Sequence, residues 1–227
     1  MSVREDTFVV VPAFNERSCI EQVVQSLRRE YPHVVVVDDG SRDDTVEIAR
    51  GCATYVLRHE INCGQGAALQ TGIEFALSRG ARYIVTFDAD DQHRVGCVST
   101  LLEPIVRGEC EITLGSRFLG EAINLSEGRR LMLRVAILFT RLVNRLQLTD
   151  AHNGLRAFSR EAAQRIRIRA DRMAHASEIL DIIRHSGLSF REVPVRVHYT
   201  PYSIEKGQSP VRAFRIVFHY VIARVFQ

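Results

Sequence analysis

Two short apolar runs near the start of the chain, Thr7 to Val11 and Val34 to Val37, are rich in β-branched residues and show no polar alternation. Strands of this kind belong to parallel sheets, where helices cover both faces and neither meets water. Between the two runs, Cys19 to Glu30 has the spacing of a helix. The alternation then continues with a helix near Asp43 to Arg50, a strand near Thr54 to Leu57 and a helix from Gly66 to Ser78. A strand from Tyr83 to Phe87, a helix from Val95 to Val106 and a strand from Glu111 to Leu114 follow. Such strict succession predicts an α/β fold, with a mainly parallel central sheet and helices on both faces.

Beyond Gly115 the pattern changes. A long amphipathic helix is expected over Arg129 to Leu146, then a polar turn from Thr149 to Gly154, helices near Arg160 to Arg167 and Ala176 to His185, a strand from Phe190 to Val197, and a final helix from Val211 to Phe226. At about 100° per residue, Arg130, Arg134, Arg141 and Arg145 gather on one side of the long helix, while Leu131, Val135, Leu138, Leu142 and Leu146 line the neighbouring face. The final helix repeats this, with Arg212, Arg215 and His219 beside Phe214, Val217, Phe218, Val221, Val225 and Phe226. An arginine stripe flanking an apolar face suits a helix lying on an anionic membrane surface. A subunit contact, or an ordinary core beneath a solvated face, produces the same pattern.

Composition narrows the class. A chain of 227 residues can bury one core but not two ordinary domains with linkers, so a single domain over 1–227 is expected. The five cysteines are odd in number, scattered and never spaced as Cys-x-x-Cys, which points to reduced thiols in a cytoplasmic protein rather than disulfides or zinc. No uncharged apolar run approaches the ~18 residues of a membrane span. The net charge of +3 is too small to imply nucleic acid. The basic set is lopsided, because Lys206 is its single lysine, and a compact ammonium is not replaced by a guanidinium at a crowded phosphate.

In an open parallel sheet, ligands bind where loops leave the carboxyl ends of strands, and the polar residues fall there. The strongest signal is Phe87-Asp88-Ala89-Asp90-Asp91-Gln92-His93, whose Asp88 and Asp90 can both reach one hard cation while Gln92 adds an oxygen. An Asp-rich turn is the alternative. In Val37-Asp38-Asp39-Gly40-Ser41, Asp39 could accept from a base or ribose, or the segment could serve turn and cap chemistry. In Val11-Pro12-Ala13-Phe14-Asn15-Glu16, Phe14 could stack on a base or staple the next helix. Asn62-Cys63-Gly64-Gln65-Gly66 opens a helix with small residues that let backbone approach a ligand. Gly115-Ser116-Arg117-Phe118 is expected as a further strand-end loop, with Arg117 towards a phosphate, and Arg129 and Arg130 open the long helix. Around Glu205-Lys206-Gly207, a loop could close over phosphates or simply be surface. The turn from Asp150 to Arg156 supplies acceptor contacts or caps the helix before it.

In order and spacing these segments resemble the family 2 glycosyltransferases of the GT-A fold, above all the branch of dolichyl-phosphate mannosyltransferase and other polyprenyl-phosphate glycosyltransferases. The resemblance covers nearly the whole chain. It implies a nucleotide-sugar half over 1–118 and an acceptor half over 119–227. Pro12, Phe14, Glu16 and Asp39 would hold the nucleoside, with Gly66 and Ala89 also lining the donor site. Asp88, Asp90 and Gln92 would bind Mg2+ or Mn2+, and Arg196 and Lys206 the diphosphate. Arg117, with Arg129 or Arg130 and Asp150, would meet the acceptor, and Asp90, Asp91 and Arg117 would carry the chemistry. The family tends to show tyrosine where this chain has Phe14, and many relatives carry C-terminal transmembrane helices.

The implied reaction is an inverting transfer from a nucleotide-diphosphate sugar, GDP-mannose or a UDP-sugar, to a polyprenyl phosphate. Transfer to a saccharide, small-molecule or protein hydroxyl is the alternative within the class. A non-catalytic nucleotide-binding or scaffold subunit is the alternative outside it. Attachment to the cytoplasmic face of a membrane would then rest on the amphipathic helices, on a partner subunit or on a homo-oligomer.

Overall fold

A computed structural model describes residues 2–144, 146–150, 153–169 and 174–202. Its elements run β1 (Thr7–Ala13), α1 (Ile20–Arg28), β2 (His33–Asp38), α2 (Thr45–Cys52), β3 (Tyr55–Arg58), α3 (Gln65–Ser78) and β4 (Tyr83–Thr86). They continue with α4 (Gly96–Val106), β5 (Ile112–Ile123), α5 (Glu127–Asn144), β6 (Arg156–Ser159), α6 (Arg160–Arg165), α7 (Ala174–Ser186) and β7 (Phe190–His198). The seven strands form one sheet in the order β3-β2-β1-β4-β6-β5-β7.

All neighbours are parallel except β6, which runs antiparallel to both β4 and β5. The uninterrupted valines explain the centre of the sheet. Val9, Val11, Val34 and Val36 pack on one face with α1 and α4, while Val10, Val35 and Val37 pack on the other with α3, α6 and α7. α3 lies close to β1, since a Cβ added at Gly72 would sit 2.3 Å from Val10 Cγ1. Any larger residue there would push the helix off the sheet.

Two expectations change. Gly115 to Phe118 is not a loop, because β5 runs on to Ile123 and pairs with β7 along nearly its whole length, with a register shift between Ser116 and Glu121. β6 falls where only a turn and a helix were expected, so the boundary at residue 118 lies inside a strand and the second half completes the sheet. The final helix over Val211 to Phe226 and the loop carrying Lys206 lie outside the described residues, as do Arg145 and His152. No described helix is long and apolar enough to cross a membrane. None of the five cysteines forms a disulfide.

Candidate active site

β1, β2 and β4 are parallel neighbours, so their carboxyl ends open on one edge. Asp88 stands just beyond β4. Its carboxylate accepts a hydrogen bond from Gln65 Nε2 at 3.2 Å, in the first turn of α3, and lies 3.3 Å from His93 Nε2. Burial opposes its ionisation, but the hydrogen bond and charge of His93, with the charges of Arg156 and His175, outweigh that and hold the carboxyl below its usual range. Asp90 behaves oppositely, since burial and then the charge of Asp88 push its pKa up to about 7. Two carboxylates that repel across so short a loop are a donor set suited to a hard divalent cation, which removes the repulsion. The loop is pinned from behind. Gln92 N donates to Asp90 Oδ1 at 3.2 Å, and Gln92 O accepts from His198 N at 2.8 Å.

The rim on the β1 and β2 side gathers the expected nucleoside contacts. Pro12 is buried within β1 opposite Val37, and Phe14, just past the strand, keeps 39% of its surface exposed. Glu16 is buried, contributes to the field that raises Asp90, and accepts from Tyr202 Oη at 2.9 Å. Asp39 is also buried and ties its own loop to the one after β3. Its Oδ1 accepts from Cys63 N at 2.9 Å and lies 2.8 Å from His59 Nδ1, while its Oδ2 accepts from Gly64 N at 2.7 Å. Asp39, His59 and Cys63 thus bring ligand-type atoms within 4.8 Å of one another. With His59 Nε2 also 3.0 Å from Thr71 Oγ1, this is a closed hydrogen-bond network rather than a set of vacant ligands. Gly66 and Ala89 are buried beside the same edge. Asp91 takes a left-handed backbone (φ 59°) and accepts from Gln22 Nε2 at 3.2 Å.

Across β6 lies a second cluster. Arg117, from the interior of β5, is buried and donates through Nε to Asp150 Oδ2 at 2.6 Å and through Nη1 to Tyr199 Oη. Arg129, in the first turns of α5, places its guanidinium 5.0 Å from the centroid of the same tyrosine ring. Tyr199 therefore joins two of the arginines expected at one acceptor site. Asp150 is held in turn by Arg117 N at 3.0 Å, while its own N donates to Glu192 Oε1 at 3.0 Å. Arg130 pairs instead with Glu127, 3.6 Å away on the exposed side of α5. Arg196 also points elsewhere, into an exposed ion pair with Glu121 at 3.0 Å, and would have to leave it to meet a diphosphate.

The family model described as Glycosyl transferase family 2 matches residues 8–167, more than half of the chain. The chain belongs to family 2 of the glycosyltransferases. An uncharacterised protein of Methanocaldococcus jannaschii is 38% identical to this glycosyltransferase, covering 98% of this chain and 94% of its own. The UDP-N-acetylglucosamine–dolichyl-phosphate N-acetylglucosaminyltransferase of Methanococcus voltae is 30% identical, covering 96% of each chain. Polyprenol monophosphomannose synthase of Mycolicibacterium smegmatis is 31% identical over 83% of this chain and 76% of its own. Among solved structures, glucosyl-3-phosphoglycerate synthase from Mycobacterium tuberculosis, in complex with Mn2+, UDP-glucose and phosphoglyceric acid, superposes with a TM-score of 0.72. At 23% identity over 96% of this chain and 79% of that one, this likeness establishes the GT-A fold.

Three residues of this glycosyltransferase escaped a role on sequence grounds, and a fourth, Arg156, was expected only within a turn meeting the acceptor or capping the helix. His93 and Gln65 hold Asp88, Tyr199 joins the two arginines, and Arg156, at the start of β6, is buried with Asp88 and Asp150 in its field. A signal existed for the last. An arginine between Leu155 and Ala157, in an otherwise apolar run, is a buried charge that needs partners.

Proposed function

We propose that the chain moves a hexose from a nucleotide-diphosphate sugar to a polyprenyl phosphate, with Mg2+ or Mn2+ held by Asp88, Asp90 and Gln92. The observation that carries this reading is the placing of the Asp88 loop beside a second cluster, in which Arg117 contacts Asp150 and Tyr199 and Arg129 stacks on Tyr199, with the buried charge of Arg156 between them in the field of both Asp88 and Asp150. It sets an acidic, metal-type corner beside a buried arginine pair, the arrangement that brings an anionic donor and an anionic acceptor to one place. The dolichyl-phosphate and polyprenol-phosphate activities for which relatives at 30% and 31% identity are named agree with it.

The bound cation would neutralise charge developing on the departing nucleoside diphosphate. Pro12, Phe14, Glu16 and Asp39 orient the nucleoside. Arg117 and Arg129 orient the acceptor phosphate, and Asp150 fixes the angle of the Arg117 guanidinium. An oxygen of that phosphate attacks the anomeric carbon as its bond to the diphosphate oxygen breaks, which inverts the configuration. A phosphomonoester is already anionic near pH 7, so no strong base is required. Asp91 stands ready only for a hydroxyl acceptor.

α5 supports the lipid acceptor over the second reading, a small anionic acceptor such as the phosphoglyceric acid of the mycobacterial synthase. Leu131, Val135 and Leu138 are 65%, 51% and 58% exposed along one face of it, beside the exposed Arg134. Such a face suits the acyl boundary of an anionic membrane. Transfer assays with GDP-mannose, UDP-glucose and UDP-N-acetylglucosamine, offered dolichyl phosphate or 3-phosphoglycerate with Mn2+ or with chelator, test the proposal. Chelator-sensitive transfer to the lipid supports it, and transfer to 3-phosphoglycerate alone would overturn it.

A further inference from the structure

Arg156 is the first residue of β6, opposite Thr86 of β4 on one side and Leu114 of β5 on the other. It is 3% exposed, and its Nη1 is buried without a hydrogen-bond partner among the described residues. Two residues earlier, Gly154 is packed so tightly on the acidic loop that an added Cβ would fall 2.1 Å from Asp88 Oδ2, and its carbonyl accepts from Thr86 Oγ1 at 2.6 Å. The turn leading into β6 is thus bolted to the strand that carries Asp88. The charges balance locally. Arg117 answers Asp150 directly at 2.6 Å, while the field of Arg156 reaches Asp88 and, after it, Asp150. Two buried arginines face Asp88 and Asp150 before any ligand arrives, which leaves Asp90 as the carboxylate of the corner that neither answers.

Burial pulls the Arg156 guanidinium down to about 10, against the carboxylates of Asp88 and Asp150, so it still carries its charge at neutral pH. A divalent cation arriving alone at Asp88 enters a corner whose first carboxylate is already compensated, and it meets the repulsion of Arg156. A cation arriving with a diphosphate brings its own counter-charge and does not. We propose that Arg156 is a positioning cation that keeps the affinity of the Asp88 corner for free divalent metal low, so that metal is held firmly only together with the donor diphosphate. This rests on the reading of Asp88 and Asp90 as metal ligands. It concerns order of assembly rather than the transfer step.

Mn2+ binding to the full chain, followed by electron paramagnetic resonance of free Mn2+ with and without UDP or GDP, tests the idea without turnover. In the native protein, either nucleotide that binds should tighten Mn2+ by at least about tenfold. Arg156→Met should bind Mn2+ alone at least about tenfold more tightly than the native protein. A residue that merely props the loop would weaken metal when removed, so the gain is the distinguishing result. Arg156→Gln removes the same charge with a polar head and should behave alike if the methionine variant fails to fold. Equal Mn2+ affinity with and without nucleotide in the native protein would overturn the proposal whatever the variants do. So would folded variants that bind Mn2+ no more tightly. Absence of Mn2+ binding under every condition would instead overturn the metal reading on which the proposal rests.

Discussion

Replacing Asp90 by asparagine separates the cost of the acidic corner from its use. Burial and the charge of Asp88 lift the Asp90 pKa from 3.8 to about 7. Three units at ~1.4 kcal/mol each set a ceiling of about 4 kcal/mol, and a coupled pair in a partly open loop delivers nearer to about 2 kcal/mol. An acid whose folded pKa exceeds its unfolded value binds more protons folded than unfolded between the two. Its contribution is therefore fully present below pH ~4 and is lost as the pH rises through ~7. Asp90→Asn keeps an oxygen for the Gln92 amide, which now reaches Asp90 Oδ1 at 3.2 Å, and removes the repulsion. In chelator at pH 8 the variant should melt roughly 4–8 °C above the native protein, at 2–4 °C per kcal/mol for a chain of this size. At pH 5, about one unit above the unfolded pKa, the gain should shrink to roughly 40% of its pH 8 value. Thermal melts in EDTA at both pH values measure this, and Mn2+ with nucleotide should then stabilise only the native protein. A variant no more stable than native at pH 8, or a gain of equal size at both pH values, would refute the electrostatic account.

Two further outcomes follow from packing. Gly154→Ala places a methyl group against the Asp88 carboxylate, so donor turnover should fall by at least about tenfold while the melting temperature drops by only a few degrees; comparable losses of stability and activity would contradict this. Changing Leu131, Val135 and Leu138 together to serine should abolish flotation with anionic liposomes yet leave the melting temperature nearly unchanged, because these side chains are already solvated; retained flotation removes α5 from the membrane reading.

The parallel core was legible because its signal is redundant: fully apolar β-branched runs, each followed by a helix, allow few arrangements. β6 was hidden by its brevity. Four residues opening on an arginine carry no periodicity, and only the gap between β4 and β5 gives them a partner. Gly115 to Arg117 has the composition of a turn but remains strand because β7 supplies a ladder beside it, a long-range pairing that local composition cannot register. The placement of Arg196 could have been read. Val193, Val195 and Val197 alternate inward along β7, so Arg196 falls on the outer face with Glu121. Asp88 and Asp90 were visible as a motif, whereas their opposite pKa displacements were not, since those depend on burial and on Arg156, His175 and Glu16 arriving from elsewhere in the fold.

The antiparallel β6 also has a kinetic meaning. β4 and β5 are close in sequence but never pair, and the strand that joins them is synthesised only after α5. A nascent chain that has emerged through β5 holds a sheet with an open slot beside β4, exposing unpaired backbone next to the loop of Asp88 and Asp90. Closure waits for a loop of some seventy residues, from Thr86 to Arg156, to bring its far end home, a slow non-local step. The Asp88 corner is therefore among the last parts of the molecule to become rigid. Ligands that seal it should speed maturation of newly made chains as well as raise the stability of finished ones.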